Sequence, residues 1–172
     1  MKHVVSRTLC AILAMYLLLV SAGCKGPIGA EWKRYRYAAD GFSAEFPAEP
    51  KASPNDDHSG TRYSTSMEND NFAYFVEKAA LPANLNKTPE QVFEGYANGA
   101  AGGTNSKIKS QKSISMGSHP GREFVLENDK VVMQFRLYLV GKNLYQVLVV
   151  ASTSKASRAQ TDRFLNSFDL IE

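Results

Sequence analysis

Residues 131–151 carry the clearest structural signal in the chain and read VVMQFRLYLVGKNLYQVLVVA. Apolar and polar side chains alternate along the first half of this segment. As a β-strand it would hold Phe135 and Leu137 on one face and Gln134 and Arg136 on the other, because successive side chains of a strand point to opposite faces. The second half is rich in apolar β-formers, so the segment predicts two consecutive strands.

The loop between these two strands sets which side chains face one another. If Gly141–Asn143 is a three-residue loop, Leu137 lies opposite Val147 and Leu139 lies opposite Tyr145, so that apolar residues meet. A two-residue loop would shift the pairing by one and set polar residues against apolar ones. The pattern therefore favours the three-residue loop.

Two helices are predicted from their capping signals. Thr88–Gln91 supplies an N-cap, a proline at the first helical position and a capping box, which together open the first helix. The glycine-rich segment Gly99–Gly103 is expected to end it. Ser157 and Gln160 form the capping box of the second helix, at residues 157–166.

The chain is expected to fold as one α+β domain at residues 40–172, with a largely antiparallel β-sheet of about six or seven strands packed with two main helices. The strand candidates before residue 131 are residues 42–46, 61–67, 72–78, 107–115 and 122–127. Residues 24–39 are predicted to be a tether, since their first part has linker composition. The aromatic residues from Trp32 to Tyr37 either pack on the domain edge, which is favoured, or lie at a lipid interface.

The first 23 residues have the layout of an export signal. Lys2 and Arg7 precede an apolar run from Leu9 to Val20, and three small residues follow it. As a helix this run would span about 18 Å, which is short of the roughly 30 Å hydrocarbon core of a bilayer. Residues 1–23 are therefore predicted to be a signal peptide rather than a transmembrane anchor.

The segment Leu19–Cys24, LVSAGC, resembles the lipobox of bacterial lipoproteins, with Ser21 where that family usually has leucine. The resemblance implies that Cys24 is diacylglyceryl-modified, becomes the mature N-terminus and attaches the protein to membrane lipid. Because Lys25 rather than an aspartate follows, it also implies the periplasmic side of the outer membrane in a cell with two membranes. Ordinary cleavage would instead leave Cys24 as a lone exposed thiol.

Charge and cysteine content exclude several classes of function. The chain has 20 Lys+Arg and 17 Asp+Glu, and the signal segment holds two of the cations, which leaves 18 against 17. Such a balance argues against a nucleic-acid partner, which needs a strongly basic face. The two cysteines, Cys10 and Cys24, both precede the domain, so it holds no disulfide and no thiolate metal site. No cofactor is predicted.

Five segments of the chain resemble bacterial extracytoplasmic domains of the PsbP-like or Mog1-like type. They are Gly41–Pro47 (GFSAEFP), His119–Glu123 (HPGRE), Leu137–Val140 (LYLV), Leu144–Val147 (LYQV) and Phe164–Phe168 (FLNSF). The resemblance implies an antiparallel sheet with helices packed on its faces. It also implies a family whose better-known members are accessory or binding proteins without a catalytic centre. These motifs are structural, so no functional residue is transferred.

The histidines of the mature chain lie in two places. Asn55–His58 gathers four oxygen or nitrogen ligands that suit a hard cation, but the same residue types form turns, so a solvated loop is favoured. His119 follows Ser118 and precedes Glu123, yet the sequence GSHPG differs from the G-x-S-x-G nucleophile elbow and leads into a strand. A turn is favoured there, and no catalytic or metal-ligating residue is predicted.

Two further segments each have a structural and a functional interpretation. Gly99–Gly103 follows a helix, whereas phosphate loops precede one, so a helix cap is favoured. Lys107, Lys109 and Lys112 either contact anionic headgroups or protect an edge strand from aggregation, and the edge strand is favoured.

Gln134, Arg136, Tyr138 and Gln146 are predicted to share one polar face of the sheet. If no helix covers this face, it offers a flat surface for an envelope protein or a glycan. If a helix covers it, Arg136 is simply paired. The sequence leaves both alternatives open.

Together these features predict a non-enzymatic binding or accessory module that is tethered to a membrane of the cell envelope. Two alternatives come from other classes of protein. One is an envelope hydrolase that uses His58 or His119, and the other is a purely structural component of the envelope.

Overall fold

The computed structural model describes residues 31–54, 60–67, 72–154 and 156–171. These residues form ten β-strands in two sheets and two α-helices, and every strand pair is antiparallel. The predicted α+β class and the largely antiparallel sheet are therefore confirmed. The predicted signal peptide, Cys24 and Asn55–His58 lie outside the described residues.

The smaller sheet has three strands in the order β1 (Lys33–Tyr37), β2 (Phe42–Phe46) and β10 (Asp169–Leu170). Strand β1 lies within the segment that was predicted to be a tether. It forms a strand because Tyr35 and Tyr37 contact the aromatic rings of β2 at 6.1 and 5.0 Å, which gives the segment an apolar face to bury. Folded structure therefore begins before residue 40.

The larger sheet has seven strands, in the order β3 (Lys51–Pro54), β4 (Gly60–Met67), β5 (Phe72–Ala80), β9 (Asn143–Ser152), β8 (Val131–Val140), β7 (His119–Glu127) and β6 (Lys107–Met116). The predicted β4–β5 pairing is present. Strand β3 was not predicted, because its four residues are all exposed and show no alternation of apolar side chains.

The loop between β8 and β9 corrects the predicted register. Leu137 pairs with Gln146 and Val140 pairs with Asn143, so the loop has two residues, Gly141 and Lys142. Gly141 adopts a φ of +59°, as the tight hairpin loops with a glycine at their first position require. The three-residue prediction is wrong because both faces of these strands are buried, so matching apolar to apolar could not identify the register.

The two helices are α1 (Pro89–Thr104) and α2 (Arg158–Ser167). The capping box of α1 is confirmed, since Gln91 N donates to Thr88 Oγ1 at 3.3 Å and Thr88 N donates to Gln91 Oε1 at 3.0 Å. In α2 the Ser157 hydroxyl accepts a hydrogen bond from Gln160 N at 3.5 Å, which is the N-cap bond of the predicted capping box. Both predicted start sites are therefore correct.

The predicted end of α1 is wrong, because the helix continues through Gly99–Gly103. It ends where Asn105 adopts a left-handed φ of 50°. The next amide, Ser106 N, donates to Ala101 O at 2.9 Å, which satisfies one of the last helix carbonyls. Asparagine tolerates this conformation, so the cap does not need a glycine.

The described residues from Glu31 onward form three layers, with the seven-stranded sheet in the middle. One face of this sheet, which we call the packed face, is covered by the three-stranded sheet and α2 and carries buried aromatic residues such as Tyr74, Tyr138 and Tyr145. The opposite face, the groove face, carries Phe124 and Phe135 and packs against α1. The two faces differ in how completely they are covered.

Candidate functional site

The four polar residues predicted to share a face lie on both faces of the sheet. Arg136 and Tyr138 lie on the packed face, whereas Gln146 lies on the groove face because it pairs with Leu137. The Tyr138 ring stacks on Phe168 at 5.7 Å, just beyond the end of α2. Gln134 lies opposite Val149 on the packed face and lines an open recess of about 380 Å³ beside α2. The packed face is therefore covered at Tyr138 but partly open at Gln134, and it does not form the flat polar surface that was one of the two alternatives.

Arg136 is paired, as predicted for a covered face. Its Nε donates to Glu123 Oε2 at 2.6 Å, and its Nη1 donates to the Leu165 carbonyl in the last turn of α2 at 2.9 Å. Lys112 Nζ lies 3.0 Å from the other oxygen of Glu123. Because the last carbonyls of a helix have no partner within the helix, this cluster fastens α2 to strands β6, β7 and β8.

The electrostatics of this cluster indicate a structural role. Burial acts to raise the pKa of Glu123, but hydrogen bonds from Arg136 and Lys112 outweigh it and hold the pKa below its usual value. Burial raises the pKa of Tyr138, although the neighbouring Arg136 acts in the opposite direction. Both groups thus keep their ordinary protonation states at neutral pH, and neither is tuned to transfer protons.

An open groove of about 530 Å³ lies between α1 and the groove face, and we call it the α1 groove. Its floor is apolar and is formed by Phe75 of β5, Leu148 and Val150 of β9, and Met133 of β8. Met133 is buried, but the other three side chains are only half-buried. The groove thus offers apolar surface that the rest of the described fold does not fully cover.

The wall of the α1 groove is a helix edge with small side chains. Gly95 and Gly99 lie one turn apart on it, and a β-carbon at either position would meet no atom within 4 Å. Val92 and Phe93 of α1 are buried in the cluster that holds Phe124 of β7, whereas the Tyr96 side chain lines the groove. The helix therefore packs over one half of the groove face and leaves open space beside its glycine edge.

One end of the α1 groove is polar, and its polar groups are paired. Arg62 Nε donates to Glu77 Oε2 at 2.9 Å, with 27% and 15% of the two side chains exposed. Glu77 is the cross-strand neighbour of Gln146, and the Gln146 amide oxygen accepts a hydrogen bond from the Tyr96 hydroxyl. The lining of the groove therefore changes from hydrogen-bonding groups at this end to apolar side chains on the floor.

A second cavity, of about 810 Å³, lies where α1 leads into β6. Its charged lining includes Lys107, Lys109 and Lys130 together with Glu127 and Asp129. Because the two signs of charge are interspersed, this cleft does not select a ligand of either sign. The α1 groove has an apolar floor, and the charged groups among its described lining residues, Arg62 and Glu77, lie at one end, so its chemistry is more selective.

His119 lies at the start of β7, next to a two-residue turn, and pairs with Met116. The turn predicted around His119 is therefore displaced to the residues just before it. Gly121 lies within the strand, where a β-carbon would come within 2.6 Å of the Leu137 carbonyl oxygen. Glu123, which follows this histidine in the sequence, is bound to Arg136.

Two edge predictions can be compared with the described structure. Strand β6 is an outer strand of its sheet, so the favoured interpretation of Lys107, Lys109 and Lys112 as edge-strand lysines is confirmed. Trp32 packs on Tyr74 with the ring centroids 5.4 Å apart, so the aromatic group packs on the domain edge as favoured.

The part of the chain described by the structure contains no group of three metal-ligating side chains. Nor does any helix within it have the length and apolar character needed to cross a bilayer.

Sequence reasoning missed the α1 groove. The signal that could have indicated it is the four glycines, including Gly95 and Gly99, within a segment whose N-cap and apolar stripe already predict a helix. Glycine in a helix interior is unfavourable by roughly 0.5–1 kcal/mol relative to alanine. Glycines inside a helix therefore indicate a requirement of packing or function at their positions. The interpretation of Gly99–Gly103 as a helix cap placed these glycines outside the helix interior, so this requirement was not recognised.

Comparison with solved structures identifies the fold. The solution structure of cyanobacterial PsbP (CyanoP) from Synechocystis sp. PCC 6803 matches with a TM-score of 0.62 at 12% sequence identity, over 89% of this chain and 99% of that chain. A crystal structure of a protein of unknown function from Pseudomonas aeruginosa matches with a TM-score of 0.42 at 8% identity, over 72% of this chain and 85% of that chain. No family model and no curated protein matches the chain. The chain therefore has a PsbP-like fold.

Proposed function

We propose that this protein is a lipid-anchored, non-catalytic binding module of the cell envelope. The observation that carries the proposal is the segment Leu19–Cys24, in which an export signal ends on a lipobox-like cysteine. Several acyl chains on one residue give stable membrane attachment, because each buried methylene contributes about 0.8 kcal/mol. In a cell with two membranes, Lys25 after the cysteine favours the outer membrane.

The short connection to the fold supports a role close to the bilayer. Eight residues separate Cys24 from Lys33, where β1 begins. Even a fully extended chain of that length spans only about 30 Å. A ligand or partner of the domain would therefore be met near the membrane surface.

The chemistry of the α1 groove supports binding rather than catalysis. Its polar residues are committed to one another, since Arg62 is paired with Glu77 and Tyr96 donates to Gln146. A catalytic centre needs a nucleophile or a proton carrier held ready for the substrate. The fold of this chain is also similar to that of the PsbP-like family, whose better-known members are accessory proteins.

The anchor is tested by metabolic labelling with palmitate in the native host. We expect label in the wild-type protein and none in Cys24→Ala. Cys10→Ala is the matched control, because it removes the other cysteine of the signal segment and should leave labelling unchanged. An unlabelled wild-type protein, or a labelled Cys24→Ala variant, would contradict the proposal.

The choice of membrane is tested separately by fractionation of a host with two membranes. The wild-type protein is expected in the outer-membrane fraction. Lys25→Asp should move it to the inner-membrane fraction without changing its labelling. Identical fractionation of the two forms would show that Lys25 does not direct the protein.

A further inference from the structure

We infer that the α1 groove is a binding site for an uncharged, single-chain amphiphile, such as a monoacylglycerol. This inference deepens the proposed binding role and rests on it. Among the described residues, the groove combines half-buried apolar side chains, a helix edge on which Gly95 and Gly99 flank Tyr96, and an ion pair at one end.

The volume of the groove fits a small molecule. Pockets for small ligands commonly enclose about 300–1,000 Å³ and combine apolar walls with a few polar groups that orient the ligand. The α1 groove, at about 530 Å³, lies inside that range.

The order of residues along β9 indicates an elongated ligand. Gln146, Leu148 and Val150 all point into the groove, and four residues of a strand span roughly 13 Å. Polarity therefore falls along one direction, from the amide at Gln146 to hydrocarbon at Val150. A single acyl chain with a hydrogen-bonding head would match this gradient if it lay along the strand.

The paired charges at the polar end favour an uncharged head. Arg62 and Glu77 neutralise each other at 2.9 Å, so a carboxylate or an ammonium head would bring a charge without a counter-charge into a partly desolvated place. Hydroxyl groups can donate to Glu77 and accept from Arg62 without disturbing the pair. A glycerol head has this chemistry.

The glycines supply an independent argument. Each of Gly95 and Gly99 disfavours the helix, and neither makes close contacts that would demand a glycine, because a β-carbon would meet open space at both. Larger residues here would extend into the groove. At these two positions, helix stability and an open groove therefore require opposite residues.

The test uses the full chain carrying Cys24→Ser, so that no lipid of its own competes. Binding is measured by calorimetry with three probes of equal chain length, namely monolauroylglycerol, laurate and lauryltrimethylammonium, each kept below its micelle concentration. We expect saturable binding of monolauroylglycerol with a stoichiometry of one. The two charged probes should bind about tenfold more weakly or worse.

Gly99→Leu should block the groove and weaken binding of monolauroylglycerol by at least about tenfold. The matched control is Gly102→Leu, which changes the same residue type in the same helix at an exposed position that does not line the groove. Both variants should raise the melting temperature by about 2–4 °C, because leucine is the better helix former. Loss of binding in Gly99→Leu thus cannot be attributed to unfolding.

Several results would overturn the inference. One is equal binding by the wild-type chain and Gly99→Leu, and another is a preference for either charged probe. A third is concentration-dependent dimerisation in light scattering that Gly99→Leu abolishes, since that would make a second copy of the chain the occupant. None of these results bears on the anchor, because Cys24→Ser removes it in every sample.

Discussion

The two faces of the seven-stranded sheet are built from the same strands but are covered by other elements to different extents. On the packed face, Tyr74, Phe164 and Phe46 form edge-on and tilted ring contacts at 5.1 Å. On the groove face, Phe75, which is the neighbour of Tyr74 in the chain, remains half-buried beside open space. The contrast shows that a sheet face becomes part of the core only where another layer covers it. The strands themselves do not determine which face is buried.

The largest expected effect compares truncation of one phenylalanine on each side. Phe164 is fully buried between aromatic neighbours, so Phe164→Ala should lower the free energy of unfolding by about 3–5 kcal/mol. Phe75→Ala should cost about 1–2 kcal/mol, since part of the ring is already in water. Urea unfolding of both variants measures the difference, and equal losses would mean that the groove face is packed as tightly as the other.

The second comparison sets two ion pairs against each other. Arg136→Met leaves Glu123 buried with only the exposed Lys112 as a partner, and should cost about 3 kcal/mol at neutral pH. Arg62→Met leaves Glu77 beside the open groove, where water can reach it, and should cost about 1 kcal/mol. Similar losses for the two variants would contradict the difference in solvent access.

The effect of Arg136→Met is expected to depend on pH, because Glu123 must be ionised to bind Arg136. Hydrogen bonds from Arg136 and Lys112 outweigh burial and lower the pKa of Glu123, so its charged form stabilises the wild-type fold. That contribution is complete above the unfolded pKa of about 4.5 and is lost as the pH falls through the lower folded pKa. The stability difference between wild type and Arg136→Met should therefore shrink below about pH 4.5. A constant difference from pH 7 to pH 3 would show that the charge of Glu123 is not what Arg136 stabilises.

Deleting one hydroxyl group tests the register that distinguishes the faces. Tyr96→Phe removes the hydrogen bond to Gln146 and should cost about 1 kcal/mol in thermal unfolding. Tyr145→Phe is the counterpart on the packed face, where the hydroxyl donates to the Asp40 carbonyl at 2.7 Å, and should cost about as much. With a three-residue loop, Gln146 would face α2 and Tyr96→Phe would be silent.

Both helices and seven of the ten described strands could be predicted because their signals are local, whereas β1, β3 and β10 were missed. Alternation along residues 131–140 and the capping residues Thr88 and Gln91 depend on a few neighbours in the chain, and the structure confirms both. The register of β8 and β9 could not be predicted in the same way. Both of their faces are buried, so the alternatives differ only in contacts with α1 and α2, which are distant in sequence.

The α1 groove escaped prediction for a related reason. A groove is the space left between two elements, and residues such as Gly95 and Val150, 55 positions apart in the sequence, give no joint signal before the fold is known. The predicted polar face is wrong because it depended on the register of β8 and β9. A shift of one residue in that register places Gln146 on the opposite side of the sheet. Helices and strands can thus be predicted from neighbouring residues, whereas the site depends on contacts between elements that are distant in the sequence.

The smallest expected effect is a gain, and it applies the same substitution to both faces. Gly95→Ala should raise the free energy of unfolding by about 0.5–1 kcal/mol, because the new methyl group meets open groove and the helix gains an alanine. Gly121→Ala should destabilise the fold, since its β-carbon would lie 2.6 Å from the Leu137 carbonyl oxygen and 2.7 Å from the Tyr138 ring. The melting temperatures of the two variants, measured by calorimetry, give the sign of each change in stability. A loss at Gly95 would mean that the groove is filled in the folded protein, and the contrast between the two faces would disappear.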